Sequence, residues 1–171
     1  MRLEKHTANI SDLAFIYRCI LSGARKGHYS FNAENAAVVK QMKKEIQSVI
    51  GRQILLDNRR AQASIYTLDG KRIAVLIMSD ASLNHDGVEL YAISVIKQYQ
   101  NCGYGNLILD EMLNRHLNID IYARCTQASE KMKHLLQKRN FRLLSTDNEH
   151  EVLLRDATND YIYSEQIYLA Q

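Results

Sequence analysis

Apolar residues recur along the chain with two different periods, and their alternation predicts a mixed α/β fold. Spacings of three and four residues are typical of amphipathic helices, whereas β-branched apolar runs bounded by polar turns are typical of strands. The predicted helices cover about residues 13–21, 38–50 and 129–138, together with about a dozen residues that end near 117. The predicted strands cover about residues 1–6, 63–68, 72–79, 88–96, 119–125, 141–145 and 151–154.

Local signals refine several of these boundaries. Ser11 is a plausible N-cap of the first helix, and Asn140 stands where a left-handed residue would end the fourth. The pair Asp69-Gly70 predicts a tight hairpin turn that fixes the register of its two strands. Two questions stay open: residues 53–56 either continue the second helix or start a strand, and the tyrosine-rich residues 157–171 form an extra strand or a docking tail.

The strand at 88–96 is followed by the helix that ends near 117 and then by the strand at 119–125, without room for a hairpin. Such a βαβ unit implies that its two strands pair in parallel. In the helix, five residues repeat at the spacing of one face, which we expect to lie on the sheet: Leu109, Met112, Leu113, His116 and Leu117. No linker or internal repeat interrupts the chain, so we expect residues 1–171 to form a single domain.

A glycine loop joins the central strand to its helix. It reads Gln100-Asn101-Cys102-Gly103-Tyr104-Gly105, and such a loop gathers backbone N–H groups at a helix N-terminus, where the aligned peptide dipoles favour an anion. The loop lacks the GxxxxGK[ST] pattern of the P-loop nucleoside triphosphatases. It also lacks the third glycine of the dinucleotide pattern, because Ile108 stands there. A loop that binds no ligand is the alternative.

The Q-x-x-G-x-G spacing after Val95 resembles the coenzyme-A loop of the GCN5-related N-acetyltransferases (GNAT), V-x-P-x-x-[RQ]-G-x-G-x-[GA]. The chain departs from that pattern at Lys97, where proline is common, and at Asn101, where glycine is common. The order of predicted elements also matches the family over most of the chain. The resemblance implies an α/β (α+β) fold: a mixed, mainly antiparallel central sheet with a parallel, splayed central strand pair, flanked by about four helices.

The resemblance also implies where acetyl-CoA would bind. The backbone of Ile93 and Val95 would bond the pantetheine amides, and the loop residues would hold the pyrophosphate. A second family motif, N-x-x-A-x-x-x-Y-x-x-x-G-F, keeps only its phenylalanine, at Phe141, and places Ser129 at its asparagine. The implied cofactor-binding residues are Ile93, Val95, Gln100, Asn101, Cys102, Gly103, Tyr104, Gly105 and Ser129.

The catalytic residues are predicted less directly. The family often places a base near the start of the central strand, where Glu89 stands. Strand alternation would put the Glu89 side chain on the same face as Tyr91, Ile93 and Val95. That face is apolar, which suits a base. A solvated strand-end carboxylate is the alternative. Leu136 occupies the position of the family's proton-donating tyrosine. His134 is therefore the candidate acid, with Tyr104, Tyr122 and water as further possibilities.

Composition excludes several other classes of function. A net charge of +3 is weak for a nucleic-acid-binding protein but suits a polyanionic cofactor. Six histidines show no metal-binding spacing, and three cysteines without a CxxC pair are typical of reduced thiols in a cytoplasmic protein. The N-terminal segment has no apolar signal core, so we expect no membrane insertion.

These observations predict an acetyl-CoA-dependent N-acetyltransferase without a metal. Its acceptor would be a primary amine of a small molecule or a protein, and a homodimer is possible. Two alternatives stay open: a coenzyme-binding regulatory protein without catalysis, and an acetyltransferase acting on charged tRNA.

Overall fold

The computed structural model describes residues 2–82 and 85–157. In chain order, the strands are β1 (Leu3–Thr7), β2 (Ala61–Leu68), β3 (Lys71–Asp80), β4 (Val88–Val95), β5 (Ile121–Thr126), β6 (Arg142–Thr146) and β7 (His150–Arg155). The helices are α1 (Leu13–Ala24), α2 (Ala36–Arg52), α3 (Tyr104–Arg115) and α4 (Glu130–Gln137). The predicted elements are all present, although their ends differ by up to a few residues. The predicted tail falls almost entirely on residues 158–171, outside the described part.

The strands form one seven-stranded sheet in the order β1-β2-β3-β4-β5-β7-β6. Strands β4 and β5 pair in parallel, and every other neighbouring pair is antiparallel. The predicted fold class, a mainly antiparallel sheet with a parallel central pair and four helices, is therefore confirmed for the described residues.

The helices cover both faces of the sheet and bury two separate cores. Helices α1 and α2 pack on one face around Ile16, Ile46 and Ile65, whereas α3 and α4 pack on the other around Ile108 and Leu136. We call these the α1/α2 face and the α3/α4 face. Within the described residues, no helix is both long enough and apolar enough to cross a membrane.

Several local predictions are confirmed. Asp69 and Gly70 both have positive φ, as a two-residue hairpin turn of the favoured twist requires. Asn140 is left-handed with a φ of 65°, and the helix before it ends with Phe141 N–H donating to the Leu136 carbonyl. The sequence left open whether the second helix continues past Arg52. It does not, because Gln53 is left-handed with a φ of 56° and α2 ends directly before it.

Other local predictions are wrong. Asn9, not Ser11, caps the start of the first helical segment: its side chain accepts from the Ser11 N–H, while Asp12 accepts from the Asn9 N–H in return. Leu117 does not face the sheet, because α3 ends at Arg115 and leaves that leucine 47% exposed. Apolar spacing alone does not reveal where a helix ends.

Candidate functional site

The central strands β4 and β5 separate partway along their length. Their pairing runs from Val88 opposite Ile121 to Leu90 opposite Ala123 and ends there. At the same point β4 bulges against β3: Ile77 pairs with Ala92 and Met78 with Leu90, which leaves Tyr91 as the extra residue. A bulge bends its strand and increases the local twist. The bulge therefore accounts for the gap that opens between β4 and β5.

Two backbone carbonyls of β4 point into this gap. The Ile96 N–H donates to the Ile73 carbonyl, and hydrogen-bonded pairs alternate along an antiparallel ladder. Ser94 and Ala92 therefore face β3, whereas Ile93 and Val95 turn their N–H and C=O groups away from it, toward the gap. Side chains bond both carbonyls: Gln100 Nε2 donates to the Val95 oxygen at 2.7 Å and the Tyr29 hydroxyl donates to the Ile93 oxygen at 3.3 Å.

The bulge also corrects the predicted surroundings of Glu89. Tyr91 and Ala92 both pack with the α1/α2 core, while Ile93 and Val95 pack with the α3/α4 core. Glu89 therefore does not share a face with Ile93 and Val95. Simple strand alternation missed this change, because the extra residue reverses the alternation within β4.

A cleft with a cavity volume of about 300 Å³ fills the gap. It extends from Leu90 and Ala123, where the pairing ends, to the glycine loop at the start of α3. Seven of the predicted cofactor-binding residues line it: Ile93, Val95, Gln100, Asn101, Gly103, Gly105 and Ser129. The other two predicted residues, Cys102 and Tyr104, do not line the cleft. Cys102 is exposed, and Tyr104 packs edge-on against Tyr99.

The loop at the outer end of the cleft has the backbone conformation of an anion site. Gly103 precedes α3 with a φ of 86°, and no side chain caps the helix, whose N-terminal N–H groups remain directed outward. Asn101, where the family pattern has glycine, is also left-handed, with a φ of 63°. Asparagine tolerates that conformation better than most residues, so this departure from the pattern preserves the loop. Lys131 of α4 bonds the Asn101 side chain and adds a cation beside the loop.

The loop between α1 and α2 closes the cleft on one side. Thr126 Oγ1 at the end of β5 donates to the Gly27 carbonyl at 2.6 Å and lies 3.1 Å from Ser129 Oγ. Ser129 stands at the N-cap position of α4, but its side chain makes no capping bond to the helix. Its hydroxyl instead helps to hold the α1–α2 loop against β5.

A second cavity of about 600 Å³, which we call the acceptor-side cavity, lies on the α1/α2 face. Tyr29, Tyr91 and Arg124 line both this cavity and the cleft, so the two meet at the point where β4 and β5 part. Burial raises the pKa of Tyr91, whose hydroxyl bonds Glu45 at 3.2 Å. Three carboxylates line the acceptor-side cavity: Glu45, Asp57 and Glu89.

Glu89 is held between two arginines. It is 5% exposed; Arg59 Nη1 donates to its Oε2 at 2.7 Å, and Arg124 Nε lies 3.2 Å from its Oε1. Arg59 in turn bonds Asp57 at 2.8 Å and the Asp80 carbonyl at 3.1 Å. Burial lowers the pKa of Arg59, but the bonds to Glu89 and Asp57 outweigh it and raise that pKa above its usual value. Glu89 is thus neither a solvated strand end nor an apolar-site carboxyl, but a buried, ion-paired carboxylate.

A third cavity of about 610 Å³, which we call the basic cavity, adjoins the outer end of the cleft. It shares Gly23, His28, Ser94, Val95 and Gln100 with the cleft, and no carboxylate among the described residues lines it. Its cations come from α1, the loop that follows α1, the start of β3 and the segment after β4: Arg18, Lys26, Lys71, Arg72 and Lys97. Arg72 bonds the buried Asp12, while the other four make no ion pair within the part of the chain that the structure describes. This cavity favours an anionic group near the loop.

Two residues that the sequence suggests as proton donors, His134 and Tyr122, do not line the cleft. His134 is exposed on α4 and does not line the cleft, whereas Leu136 is fully buried and does. Tyr122 lies near the far end of β5, stacked on His85, and lines none of the three cavities. Cys125 lines the cleft as a neutral thiol, since burial raises its pKa to about 11.

Sequence reasoning missed three residues that the fold brings to this site. Tyr29 comes from the α1–α2 loop, Arg59 from the segment before β2, and Arg124 from β5. Each is distant in sequence from Glu89 or the glycine loop, and none belongs to a motif. The described residues contain no group of three side chains able to hold a metal ion.

This combination of features defines the fold of the GCN5-related N-acetyltransferases: a bulged β4, a splayed parallel strand pair, and a glycine loop at the start of α3. Solved structures agree. An acetyltransferase from Thermus thermophilus superposes with a TM-score of 0.67 at 15% identity, over 91% of this chain and 97% of that one. Spermidine N-acetyltransferase from Vibrio cholerae, in complex with CoA and spermine, gives 0.65 at 13% identity over 89% and 92%.

A third similar structure is the ribosomal-protein-S18-alanine N-acetyltransferase from Escherichia coli, with a TM-score of 0.60 at 16% identity over 90% of this chain and 91% of that one. No protein-family model matches the sequence, and no curated protein matches it by sequence comparison. The likeness is therefore one of fold, and the activity has to be argued from the site.

Proposed function

We propose that this protein is an N-acetyltransferase that transfers an acetyl group from acetyl-CoA to a primary amine. One observation carries the proposal: the cleft between β4 and β5 presents two gap-facing carbonyls, at Ile93 and Val95, that lead to a helix N-terminus with outward N–H groups. An extended ligand with amides along its length and a pyrophosphate at its end fits this arrangement. Pantetheine linked to a nucleotide is such a ligand.

The coenzyme would lie along β4 in place of a strand. Its amides would bond Ile93 and Val95, and its pyrophosphate would bond the N–H groups between Gln100 and Gly105, aided by the dipole of α3. The basic cavity beside the loop supports a ligand with several phosphates. The thioester would then lie near the inner end of the cleft, where Tyr29, Tyr91 and Arg124 connect it to the acceptor-side cavity.

The acceptor amine would enter through the acceptor-side cavity and meet the thioester at this connection. Its nitrogen attacks the thioester carbonyl, the C–N bond forms, and the amine loses a proton as the C–S bond breaks. We assign Glu89 the task of orienting a water that takes this proton, since both of its oxygens are engaged by arginines. His134, the acid expected from the sequence, has no support from its exposed position.

The acceptor itself is left open by the comparisons, because structures of the same fold are named for spermidine and for a protein N-terminal alanine. The acceptor-side cavity is lined by carboxylates and also by aromatic rings, a combination that suits a cationic amine. Three free cysteines support a reducing compartment, and we place the protein in the cytoplasm.

The proposal is tested by release of free CoA thiol from acetyl-CoA in the presence of an amine panel. The panel should include polyamines, amino sugars, amino acids and peptides with an N-terminal alanine or an internal lysine. We expect acetylation of at least one amine, confirmed by a mass increase of the acceptor. If no member is acetylated although acetyl-CoA binds, catalysis is not the function of this site.

A coenzyme-binding regulatory protein is the second candidate. The observation that favours it is Leu136, fully buried in the cleft where a proton donor would stand. It predicts tight binding of acetyl-CoA, weaker binding of CoA, and no acetylated product with any amine.

A further inference from the structure

Leu136 itself brings no hydroxyl into the cleft, so the other side chains near the thioester position need to be considered. Ser129 Oγ bonds Thr126, and the Tyr91 hydroxyl bonds Glu45 across the acceptor-side cavity. Tyr99 lies at the outer end of the cleft, packed against Tyr104. Tyr29, like Tyr91, lines both the cleft and the acceptor-side cavity, but its hydroxyl differs from the others because it lies at the gap-facing edge of β4.

The position of this hydroxyl is defined by its bond to the Ile93 carbonyl at 3.3 Å. Ile93 is three residues from Leu90, where the pairing with β5 ends, a distance of about 10 Å along a strand. The aromatic ring is held by close packing: a Cβ on Gly23 would lie 2.5 Å from it, and Phe31 stacks on it at a centroid distance of 6.3 Å. Only glycine at position 23 lets the ring lie against the end of α1.

The proposed binding mode of the coenzyme brings its sulfur to this hydroxyl. If the last pantetheine amide donates to the Ile93 carbonyl, it displaces the Tyr29 hydroxyl from that oxygen. The sulfur is joined to that amide nitrogen by three single bonds and therefore lies at most about 4 Å from it. The released hydroxyl then has the sulfur within hydrogen-bonding reach.

We propose that Tyr29 is a catalytic residue that donates a hydrogen bond to the CoA sulfur as it departs. This inference rests on the proposed function. When the tetrahedral intermediate collapses, the C–S bond breaks and its electron pair passes to sulfur. A preorganised donor stabilises the charge that develops there.

The proton itself remains on Tyr29. A phenol, with an ordinary pKa of about 10, is a weaker acid than a thiol of about 8.5, so full transfer would be uphill. Burial, followed by the nearby Cys19 and Tyr91, raises the pKa of Tyr29 further and keeps the donor protonated. The thiolate departs as a hydrogen-bonded anion and takes its proton from water, while the amine's proton leaves through the water held by Glu89.

Tyr29→Phe removes one oxygen and keeps the packed ring, so it tests the hydrogen bond alone. With a reactive amine, we expect kcat to fall by about 10- to 100-fold. The KM for acetyl-CoA should stay constant or fall, because the hydroxyl no longer competes for the Ile93 carbonyl. Adding Leu136→Tyr to this variant should restore part of kcat, since it returns a hydroxyl from the α4 side.

A second readout needs no turnover. In the CoA complex, the hydrogen bond stabilises the thiolate, so the pKa of the bound thiol should rise by about one unit or more in Tyr29→Phe. The ultraviolet absorbance of the thiolate measures it, by difference from the coenzyme-free protein. Tyr17→Phe is the matched control, because its hydroxyl bonds the Lys43 carbonyl at the surface and should change neither readout.

The two readouts separate the failure of this inference from the failure of the proposed function. An inactive wild-type protein whose bound thiol still shifts in Tyr29→Phe contradicts the enzyme and supports the contact. If the wild type is active, an unchanged kcat in Tyr29→Phe overturns the role of Tyr29. An unchanged pKa of the bound thiol in the CoA complex of Tyr29→Phe overturns it whether or not the protein is active.

Discussion

Substitution of Glu89 by glutamine tests the site and the fold together, because this carboxylate belongs to a buried ion-pair network. The change removes one negative charge and leaves the size of the side chain almost unaltered. Arg59, whose side chain is 13% exposed, would then face a neutral amide in place of the carboxylate that it now bonds at 2.7 Å. We expect both stability and activity to fall, for different reasons.

The loss of stability can be worked from the contacts. Removing one partner of a buried ion pair costs about 3–5 kcal/mol, since the other charge stays buried. Arg59 keeps its bonds to Asp57 and the Asp80 carbonyl, and Arg124 is 46% exposed, so the lower end applies. A cost of about 3 kcal/mol corresponds to a fall in Tm of roughly 6–12 °C for a domain of this size. The loss of a group that directs proton transfer should lower kcat/KM by about 100-fold.

The double variant Arg59→Met/Glu89→Gln separates the two effects. It removes the buried cation together with the carboxylate, so much of the lost stability should return. Activity should stay low, because the carboxylate is still absent. Thermal unfolding and thiol-release kinetics, both measured well below the lowest Tm, provide the comparison. A stable double variant with wild-type kcat/KM would refute a role for Glu89 in the reaction.

The remaining predictions concern the basic cavity and a buried acid. Lys71→Glu/Lys97→Glu should weaken acetyl-CoA binding about tenfold at low salt in calorimetry, whereas Lys44→Glu on the exposed face of α2 should not. Asp12→Asn should cost about 1–3 kcal/mol at pH 7 in urea unfolding, because Asp12 is fully buried against Arg72. Burial raises the pKa of Asp12, but its hydrogen bonds outweigh this and lower it, so the difference between wild type and variant should shrink as pH falls below about 4.

The sequence predicted the architecture well because the informative signals are local. Hydrophobic period, the Asp69-Gly70 turn and the glycine loop each act within a few residues and need no knowledge of the partner strand. Asn101 and Asn140 show the same locality, since both occupy left-handed positions where family patterns have glycine. These two positions require a left-handed backbone, which asparagine can adopt as well as glycine.

The details of the site could not be predicted, because they depend on contacts between distant segments. The bulge at Tyr91 arises from the register of β4 against β3, and it moved Glu89 to a different face from Ile93. The arginines that bond Glu89 come from 30 residues before it, at Arg59, and from the next parallel strand, at Arg124. Neither has a sequence signature.

Binding of acetyl-CoA to the cleft is the central claim, and calorimetry tests it most directly with a matched pair of glycine variants. Gly103→Val places a β-branched side chain at a φ of 86°, beside the proposed phosphate site, whereas Gly51→Val adds the same side chain to α2, where the new Cβ would meet no described atom within 4 Å beyond its own helix. We predict one acetyl-CoA per chain for the wild type and for Gly51→Val, and no measurable binding for Gly103→Val. Absence of binding to the wild type, or equal affinity in Gly103→Val, would contradict a coenzyme site in this cleft.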